Sequence, residues 1–401
     1  MMRLAVIVPH YRQAEFLSAC LDSLMAQTRL PDEIIVVDSS PEDTTGIMTR
    51  YTSDTGDSQR TSPTALVPRV QHVVQPPDGV AAARNAGLAA TTCELVAFLD
   101  ADNIAATDRL EWQITVFESL PDIVLSHGAL MPIDRLGSGY AGVLRYDSQQ
   151  VPLEHQLGWL IARNRVATDT VCARRETIAA VGGFCETPGV REDYDLWLRM
   201  ATLGRFHYID APLAVYRRHD GNLSNNEAYM FAWEAGALNR LEWPVIEVAL
   251  RAAYPNDAER SILEGEVRLR RGEYRIAERH FLTLARQPRA AAALFHLSHL
   301  MMRRGSLDYA EAALRRALDV EPGDAASWNN LGVVLIRTER ADEAADAFAA
   351  AVELRPNYQD AADNLDLMLH PPMPGGAWRS AWKVTRRRLR PQLMPMAAIA
   401  A

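Results

Sequence analysis

The chain has 401 residues, of which 48% are hydrophobic and 23% are charged, and its formal net charge is -9. This length predicts two or three domains, while the acidic balance argues against nucleic acid as a partner. Four widely separated cysteines argue against a disulfide framework or a zinc site, and no apolar run reaches membrane-spanning length. We therefore expect a globular protein of the cytoplasm.

Strand and helix patterns alternate through residues 4–130. The predicted strands are Leu4–Val8, Glu33–Val37, Val70–Val74, Leu95–Leu99 and Ile123–Leu130, and the predicted helices are Ala14–Thr28, Val80–Thr91 and Asp108–Leu120. The polar residues 52–64 are expected to form a surface loop. This alternation predicts an α/β fold, in which a mostly parallel twisted sheet carries helices on both faces.

The C-terminal third of the chain contains a repeat. Ala310 and Pro322 recur 34 residues later as Ala344 and Pro356, and a degenerate copy begins near Ala258. Small residues where two helices cross, with proline at the exit, are typical of the tetratricopeptide repeat, a helix hairpin that stacks into a superhelix. We therefore expect an all-α repeat domain.

These patterns divide the chain into four parts. They are an α/β domain at 1–225, a helical linker at 226–257, the repeats with a capping helix at 258–370, and a basic, proline-containing tail at 371–401. In the tail, Trp378 and Trp382 stand four residues apart beside several arginines. A helix there could lie on an anionic membrane surface, and the alternative is a flexible terminus.

The most informative motif is Asp100-Ala101-Asp102, which follows the predicted fourth strand. Ligands of open α/β folds bind at the carboxyl ends of parallel strands, where carboxylates can hold a divalent cation and a diphosphate. The alternative is a turn cap. Two neighbouring strand ends contribute Tyr11, to stack on a nucleobase, and Asp38, to accept its hydrogen bonds; the alternatives are a core aromatic and a helix N-cap.

A run of small residues around Arg84 allows a backbone to approach a ligand closely. The Arg84 guanidinium can then reach a phosphate or brace the carboxylates of the Asp100 motif. The alternative is that the alanines on either side of Arg84 only pack a helix tightly on the sheet.

A second acidic group, Glu192, Asp193 and Asp195, crowds the first turn of a predicted helix, where partial positive charge stabilises carboxylates. Capping explains one acid but not three. A carboxylate beside an acceptor hydroxyl can take its proton, so Asp193 is the candidate general base. Further along the chain, His219 can either complete the coordination of a cation or serve a structural role.

Together these motifs resemble the large family of GT-A-fold, inverting, nucleotide-sugar glycosyltransferases over about Arg3–Asn225. The resemblance implies that the nucleotide sugar is bound by Pro9, Tyr11, Asp38, Arg84 and Asp100. It also implies a metal site, with Mn²⁺ or Mg²⁺ held by Asp102, Asp100 and His219.

In the same resemblance Asp193 is the catalytic base, with Glu192 and Asp195 as supporting acids. Two positions depart from the family pattern: Arg12 stands where asparagine is common, and Ser39 stands where a second acid is common. These departures leave the preference for nucleobase and sugar open.

The implied function is metal-dependent, inverting transfer of a sugar from a nucleoside-diphosphate sugar, expected to be a UDP-sugar, to an acceptor hydroxyl or other nucleophile. The repeats would recruit a peptide, protein or glycan acceptor or another protein partner, or only join two copies of the chain. The alternative is a catalytically silent scaffold whose repeats bind a partner. The basic tail adds an expectation of peripheral contact with the inner face of the membrane.

Overall fold

The computed structural model describes residues 2–52, 67–139, 143–144, 150–222, 227–288, 290–369 and 382–385. The chain forms two compact units, and the boundary between them falls at Pro255 and Asn256.

The first unit is built on a sheet of eight described strands. They are β1 Leu4–His10, β2 Glu33–Asp38, β3 Arg69–Val74, β4 Leu95–Phe98, β5 Ile104–Ala105, β6 Ile123–Ile133, β7 Cys172–Arg174 and β8 Arg205–Arg217. Their order in the sheet is β3-β2-β1-β4-β7-β6-β8-β5. The first four strands pair in parallel, as predicted, and β6 is parallel to β8. Because β7 and β5 pair antiparallel with their neighbours, the whole sheet is mixed.

Helices cover both faces of this sheet, which confirms the predicted fold class. They are α1 Ala14–Met25, α2 Thr45–Thr52, α3 Val80–Ala89, α4 Arg109–Ser119, α5 Leu153–Ala162, α6 Arg175–Ala180, α7 Glu192–Met200, α8 Glu227–Asn239 and α9 Trp243–Ala253. Val6 in β1 shares a buried core with Leu21 of α1. The next residue, Ile7, lies on the other face of the sheet and packs against α3. A Cβ added to Gly87 of α3 would lie only 2.5 Å from Ile7 Cγ2. Successive side chains of β1 therefore pack against helices on opposite faces of the sheet.

Two predicted helices end at least two residues earlier than expected. Helix α1 ends at Met25, and the amide of Thr28 donates to the carbonyl of Thr107 instead. Helix α3 ends at Ala89, and the hydroxyl of Thr91 donates to the carboxylate of Glu33. The predicted surface loop at 52–64 begins with Thr52, which lies in α2, and its other residues lie outside the described part of the chain.

The residues predicted to form a helical linker are helical, but α9 packs within the first unit. Gly158 of α5 lies so close to α9 that a Cβ on it would come within 2.1 Å of the Ala249 carbonyl oxygen. Helix α9 is therefore part of the first unit rather than a free connection.

The second unit consists of helix hairpins. Its described helices are α10 Asp257–Arg270, α11 Tyr274–Leu284, α12 Ala291–Arg304, α13 Leu307–Val320, α14 Ala325–Arg337, α15 Ala341–Leu354 and α16 Gln359–Leu369. Ala310 and Ala344, which are equivalent in the repeat, are both fully buried. Gly332 of α14 faces the ring of Phe348, with 2.5 Å between an added Cβ and Cε1. Small residues thus allow the paired helices to approach closely.

The described part of the tail packs on the second unit. The ring of Trp382 is parallel to that of Phe348, with centroids 5.8 Å apart, and Trp382 is 6% exposed. The prediction that Trp382 forms a membrane-facing helix with Trp378 is therefore wrong for Trp382, while Trp378 and the tail arginines lie outside the described residues. Across the part of the chain that the structure describes, no helix combines the length and apolar character needed to span a bilayer.

Candidate functional site

Asp38 is the last residue of β2, and its carboxylate is buried among four donor groups. His10 Nδ1 and the Ser40 amide each lie 2.9 Å from Oδ1, while Thr44 Oγ1 lies 2.5 Å and His72 Nε2 lies 3.2 Å from Oδ2. Burial acts to raise the pKa of Asp38, but the hydrogen bonds of Thr44, His10 and Ser40 hold that pKa below its usual value. Asp38 therefore organises the ends of β1 and β2 and is not a helix N-cap.

Tyr11 follows β1 and is 47% exposed, so the alternative of a core aromatic is wrong. The guanidinium carbon of Arg12 lies 5.3 Å from the centroid of the Tyr11 ring. Arg12 itself has a φ of 54°, and its amide donates to Ser40 Oγ over 3.0 Å. Pro9 is buried within β1 in register with Val37. An exposed aromatic ring at a strand end is available to stack on a flat ligand.

Arg84 joins the two acidic groups predicted from the sequence. Its Nη2 lies 2.9 Å from Asp100 Oδ1 at the end of β4, and its Nη1 lies 2.7 Å from Glu192 Oε1 at the start of α7. Arg84 is 3% exposed and lies 5.5 Å from the centroid of the Phe184 ring. The structure therefore favours carboxylate bracing over direct phosphate contact as the role of Arg84.

Asp102 and His219 are also brought together. Asp102 Oδ2 accepts a hydrogen bond from Gln13 Nε2 over 2.8 Å and lies 2.9 Å from His219 Nε2. The Gly221 amide donates to His219 Nδ1, so the ring proton lies on Nε2 and faces Asp102. Burial and the nearby charge of Asp100 raise the pKa of Asp102.

Asp193 lies next to Glu192 in the first turn of α7. Its Oδ2 accepts from Thr168 Oγ1 over 3.0 Å, and its Oδ1 lies 3.0 Å from Arg191 Nε. Burial opposes ionisation of Asp193, but the charges of Arg191 and Arg84 hold its pKa below the usual value. Burial and the charge of Asp193 instead raise the pKa of Glu192. The two adjacent acids are thus shifted in opposite directions.

Asp195 faces different partners from those of Asp193. Its Oδ2 lies 2.7 Å from Arg199 Nη2, and its Oδ1 lies 2.7 Å from Arg240 Nε, just beyond α8. Asp195 is 2% exposed. Its contacts therefore anchor α7 from the side and do not join the cluster around Arg84.

Sequence reasoning missed two residues that support this cluster. Thr168 and Asp169 are neighbours in a 3₁₀ turn, Thr168–Thr170. Thr168 holds Asp193, while Asp169 Oδ1 accepts from the Asp100 amide over 2.8 Å. Burial and the charge of Asp100 raise the pKa of Asp169 to about 7. A signal was present, because Thr168 and Asp169 stand just before the apolar run that begins at Val171, whereas Asp38 and Asp100 stand at the ends of apolar runs.

The carboxylates fit a divalent cation in their chemistry. Among the described residues no group of three or more His, Cys, Asp and Glu side chains is arranged to hold a metal ion. Asp100 and Asp102 nevertheless offer the oxygen donors that Mg²⁺ and Mn²⁺ prefer, and their mutual repulsion is what a cation would relieve. His219 Nε2 can become a third ligand beside Asp102 only when it gives up the proton that faces that carboxylate. Two or three protein ligands leave positions for donors from a substrate.

The mixed sheet with helices on both faces has the GT-A-like architecture expected from the sequence. Residues 5–133 match the family model described as "Glycosyl transferase family 2", and residues 297–359 match the one described as "Tetratricopeptide repeat". The chain therefore has a glycosyl transferase family 2 domain followed by tetratricopeptide repeats, which confirms the resemblance found in the sequence.

Two curated relatives are similar to about half of the chain. The chain is 31% identical over 194 residues to "Amylovoran biosynthesis glycosyltransferase AmsE" of Erwinia amylovora, covering 47% of this chain and 65% of that protein. It is 28% identical over 230 residues to "Uncharacterized glycosyltransferase alr2836" of Nostoc sp., covering 55% of this chain and 66% of that protein. The chain thus spans just under two thirds of the length of these relatives. Among solved structures, S. aureus TarS 1-349 in complex with UDP is 15% identical, with a TM-score of 0.48 and 91% of each chain covered.

Proposed function

We propose that the first unit transfers a sugar from a nucleoside-diphosphate sugar, expected to be a UDP-sugar, to an acceptor hydroxyl with inversion at the anomeric carbon. The observation that carries this proposal is the position of Arg84, whose guanidinium bonds both Asp100 and Glu192. Arg84 thereby connects the end of β4, where the sugar donor would bind, with the start of α7, which carries Asp193. The family 2 match supports the reaction class.

Asp193 is the proposed general base. Its side chain is 12% exposed, and the low pKa set by Arg191 and Arg84 keeps it ionised at neutral pH. The acceptor oxygen forms a bond to the anomeric carbon while the bond from that carbon to the diphosphate oxygen breaks. The acceptor proton goes to Asp193, and the electron pair leaves with the nucleoside diphosphate.

The donor would be positioned by the residues that gather at the strand ends. Tyr11 supplies an exposed ring for the nucleobase, and Asp38 with Pro9 shapes the loops beside it. Asp102, Asp100 and His219 would hold Mn²⁺ or Mg²⁺, which when bound neutralises charge on the diphosphate. The repeats would recruit a peptide, protein or glycan acceptor.

The test is release of nucleoside diphosphate from a panel of sugar nucleotides, measured with Mn²⁺, with Mg²⁺ and with a chelator. Asp193→Asn should lower the rate by about 10²–10⁴-fold, the usual loss when a positioned base is removed. Glu118→Gln, an exposed acid on α4, is the matched control and should not change the rate. Turnover by none of the donors would support the silent scaffold instead, and equal rates for the two variants would refute the role of Asp193 as the base.

A further inference from the structure

Three buried asparagines of the repeats contact the chain's own tail. Asn329 and Asn330 lie on α14 and Asn364 lies on α16, and each is at most 1% exposed. We call these three residues the asparagine site. Asn330 and Asn364 are separated by 34 residues, the period of the repeat, so they occupy equivalent positions of successive hairpins. The segment that they hold is Trp382–Thr385.

The asparagine amides pair with the backbone of alternate residues of this segment. Asn364 accepts from the Lys383 amide and donates to the Lys383 carbonyl, both over 2.8 Å. Asn330 makes the same two bonds with Thr385, again over 2.8 Å. Asn329 Nδ2 lies 3.0 Å from the Lys383 carbonyl oxygen. A side-chain amide has both an acceptor and donors, so Asn364 and Asn330 each pair with one residue of the segment as a neighbouring strand would.

Two side chains of the segment fill specific positions. The Trp382 ring lies parallel to Phe348, at an interplanar angle of 2°. Thr385 is 5% exposed, and its Oγ1 lies 3.2 Å from Asn329 Nδ2 and 3.3 Å from Asp360 Oδ2. The site therefore combines recognition of the main chain with a place for an aromatic ring and, three residues later, a place for a hydroxyl group.

Amides that are buried in this way need partners, because an unpaired buried polar group is costly. Six of the hydrogen bonds made by the three asparagines are to Lys383 and Thr385. Four of those six form two pairs: one pair joins Asn364 to the N–H and C=O of Lys383, and the other joins Asn330 to the N–H and C=O of Thr385. The site is thus complementary to an extended chain, and any other occupant must offer the same alternating backbone groups.

We propose that the asparagine site is a peptide-binding site whose built-in occupant is Trp382–Thr385. Its partner is an extended peptide with an aromatic residue three positions before a serine or threonine, and that peptide must displace the chain's own segment. The inference rests on the proposed function only in giving the repeats a peptide partner. Binding is measured without a sugar nucleotide, so the site and the transferase activity can fail separately.

The experiment uses a fluorescent peptide with the sequence of residues 380–387 and the full-length chain. The tethered segment competes at an effective concentration on the order of millimolar, so the wild-type chain should bind the peptide weakly. Trp382→Ala removes the aromatic anchor of the built-in occupant and should tighten peptide binding by about tenfold or more. Equal affinity for the two proteins, or no binding to the variant, would overturn the proposal.

Modified peptides test main-chain recognition directly. N-methylation at the positions of Lys383 and Thr385 removes the two N–H donors and should weaken binding to the Trp382→Ala variant by at least about tenfold. N-methylation at the position of Val384, between the paired residues, is the matched control. Loss of affinity to the same degree in both peptides would contradict pairing by the asparagines.

Amide hydrogen exchange on the unmodified chain provides a check that needs no variant. The amides of Lys383 and Thr385 should exchange at least about tenfold more slowly than in a free peptide, and excess added peptide should leave them protected only in the bound copy. Exchange of these two amides at the free-peptide rate would overturn the assignment of the segment as occupant.

Discussion

Replacement of Arg84 by methionine should destabilise the first unit, because it leaves two carboxylates without their shared cation. The Arg84 side chain is 4% exposed, while those of Glu192 and Asp100 are 14% and 35% exposed. Loss of one partner from a buried ion pair costs about 3–5 kcal/mol, and we take the lower end because Glu192 can bind a proton. The more exposed Asp100 pair adds only about 0–1 kcal/mol.

The expected loss is therefore about 3–4 kcal/mol, which lowers the melting temperature of a unit of this size by about 6–16 °C. Differential scanning calorimetry of the full chain measures this change, and the transition of the second unit serves as an internal reference. Arg205→Met is the matched control, because Arg205 pairs with Asp122 at the exposed surface and its loss should change little. A shift for Arg84→Met no larger than that of Arg205→Met would refute the reasoning.

The loss of stability caused by Arg84→Met should depend on pH, and the pKa of Glu192 sets the direction of that dependence. Burial and Asp193 already raise the pKa of Glu192, and Arg84 opposes that rise. Without Arg84 the folded-state pKa of Glu192 lies further above its unfolded value, so the penalty is present at high pH and is relieved as pH falls. The loss of stability should be larger at about pH 8 than at about pH 5.5. Adding Glu192→Gln should restore at least about 1 kcal/mol of the free energy of unfolding.

Three further outcomes are expected. Gly158→Ala should cost about 3 kcal/mol in urea unfolding, since its Cβ would meet the Ala249 carbonyl, whereas Gly46→Ala, which meets nothing within 4 Å, should be neutral or slightly stabilising. Thr168→Val should lower kcat about tenfold with KM unchanged, because it loosens the proposed base, and an unchanged kcat would argue against that role. Asp38→Asn should cost about 1.5–3 kcal/mol at neutral pH. Because the pKa of Asp38 is lowered in the folded chain, its contribution is lost as pH falls through that value, so the difference from wild type in urea unfolding should shrink steadily as the solution is acidified from neutral pH.

Local patterns were sufficient to predict β1 to β4, β6 and the helices α1, α3 and α4 of the first unit, whereas β5, β7 and β8 were not predicted. The fully buried apolar runs of β1 and β4 consist of consecutive residues, so the local sequence reveals them. The same holds for Asp100 and Asp102, whose position follows from the end of a strand. The repeats were recognised because small residues recur at a fixed spacing.

Contacts between distant segments could not be predicted in this way. Thr168 supports Asp193 from 25 residues away, and Asp169 supports Asp100 from 69 residues away. The pattern of tryptophans in the tail suggested a membrane-facing helix, but Trp382 packs on Phe348 because the second unit offers it a buried site. Such contacts join residues that are far apart in the sequence, so the pattern of neighbouring residues does not reveal them.

Lys383 is the one lysine among the 401 residues, and its side chain is 51% exposed beside Asp363. An amine-reactive ester would therefore modify a single side chain, and that side chain belongs to the segment held by the asparagine site. A dye or crosslinker can be attached there without any substitution. The fluorescence emission of such a dye would then report the release of the segment from the asparagine site in real time.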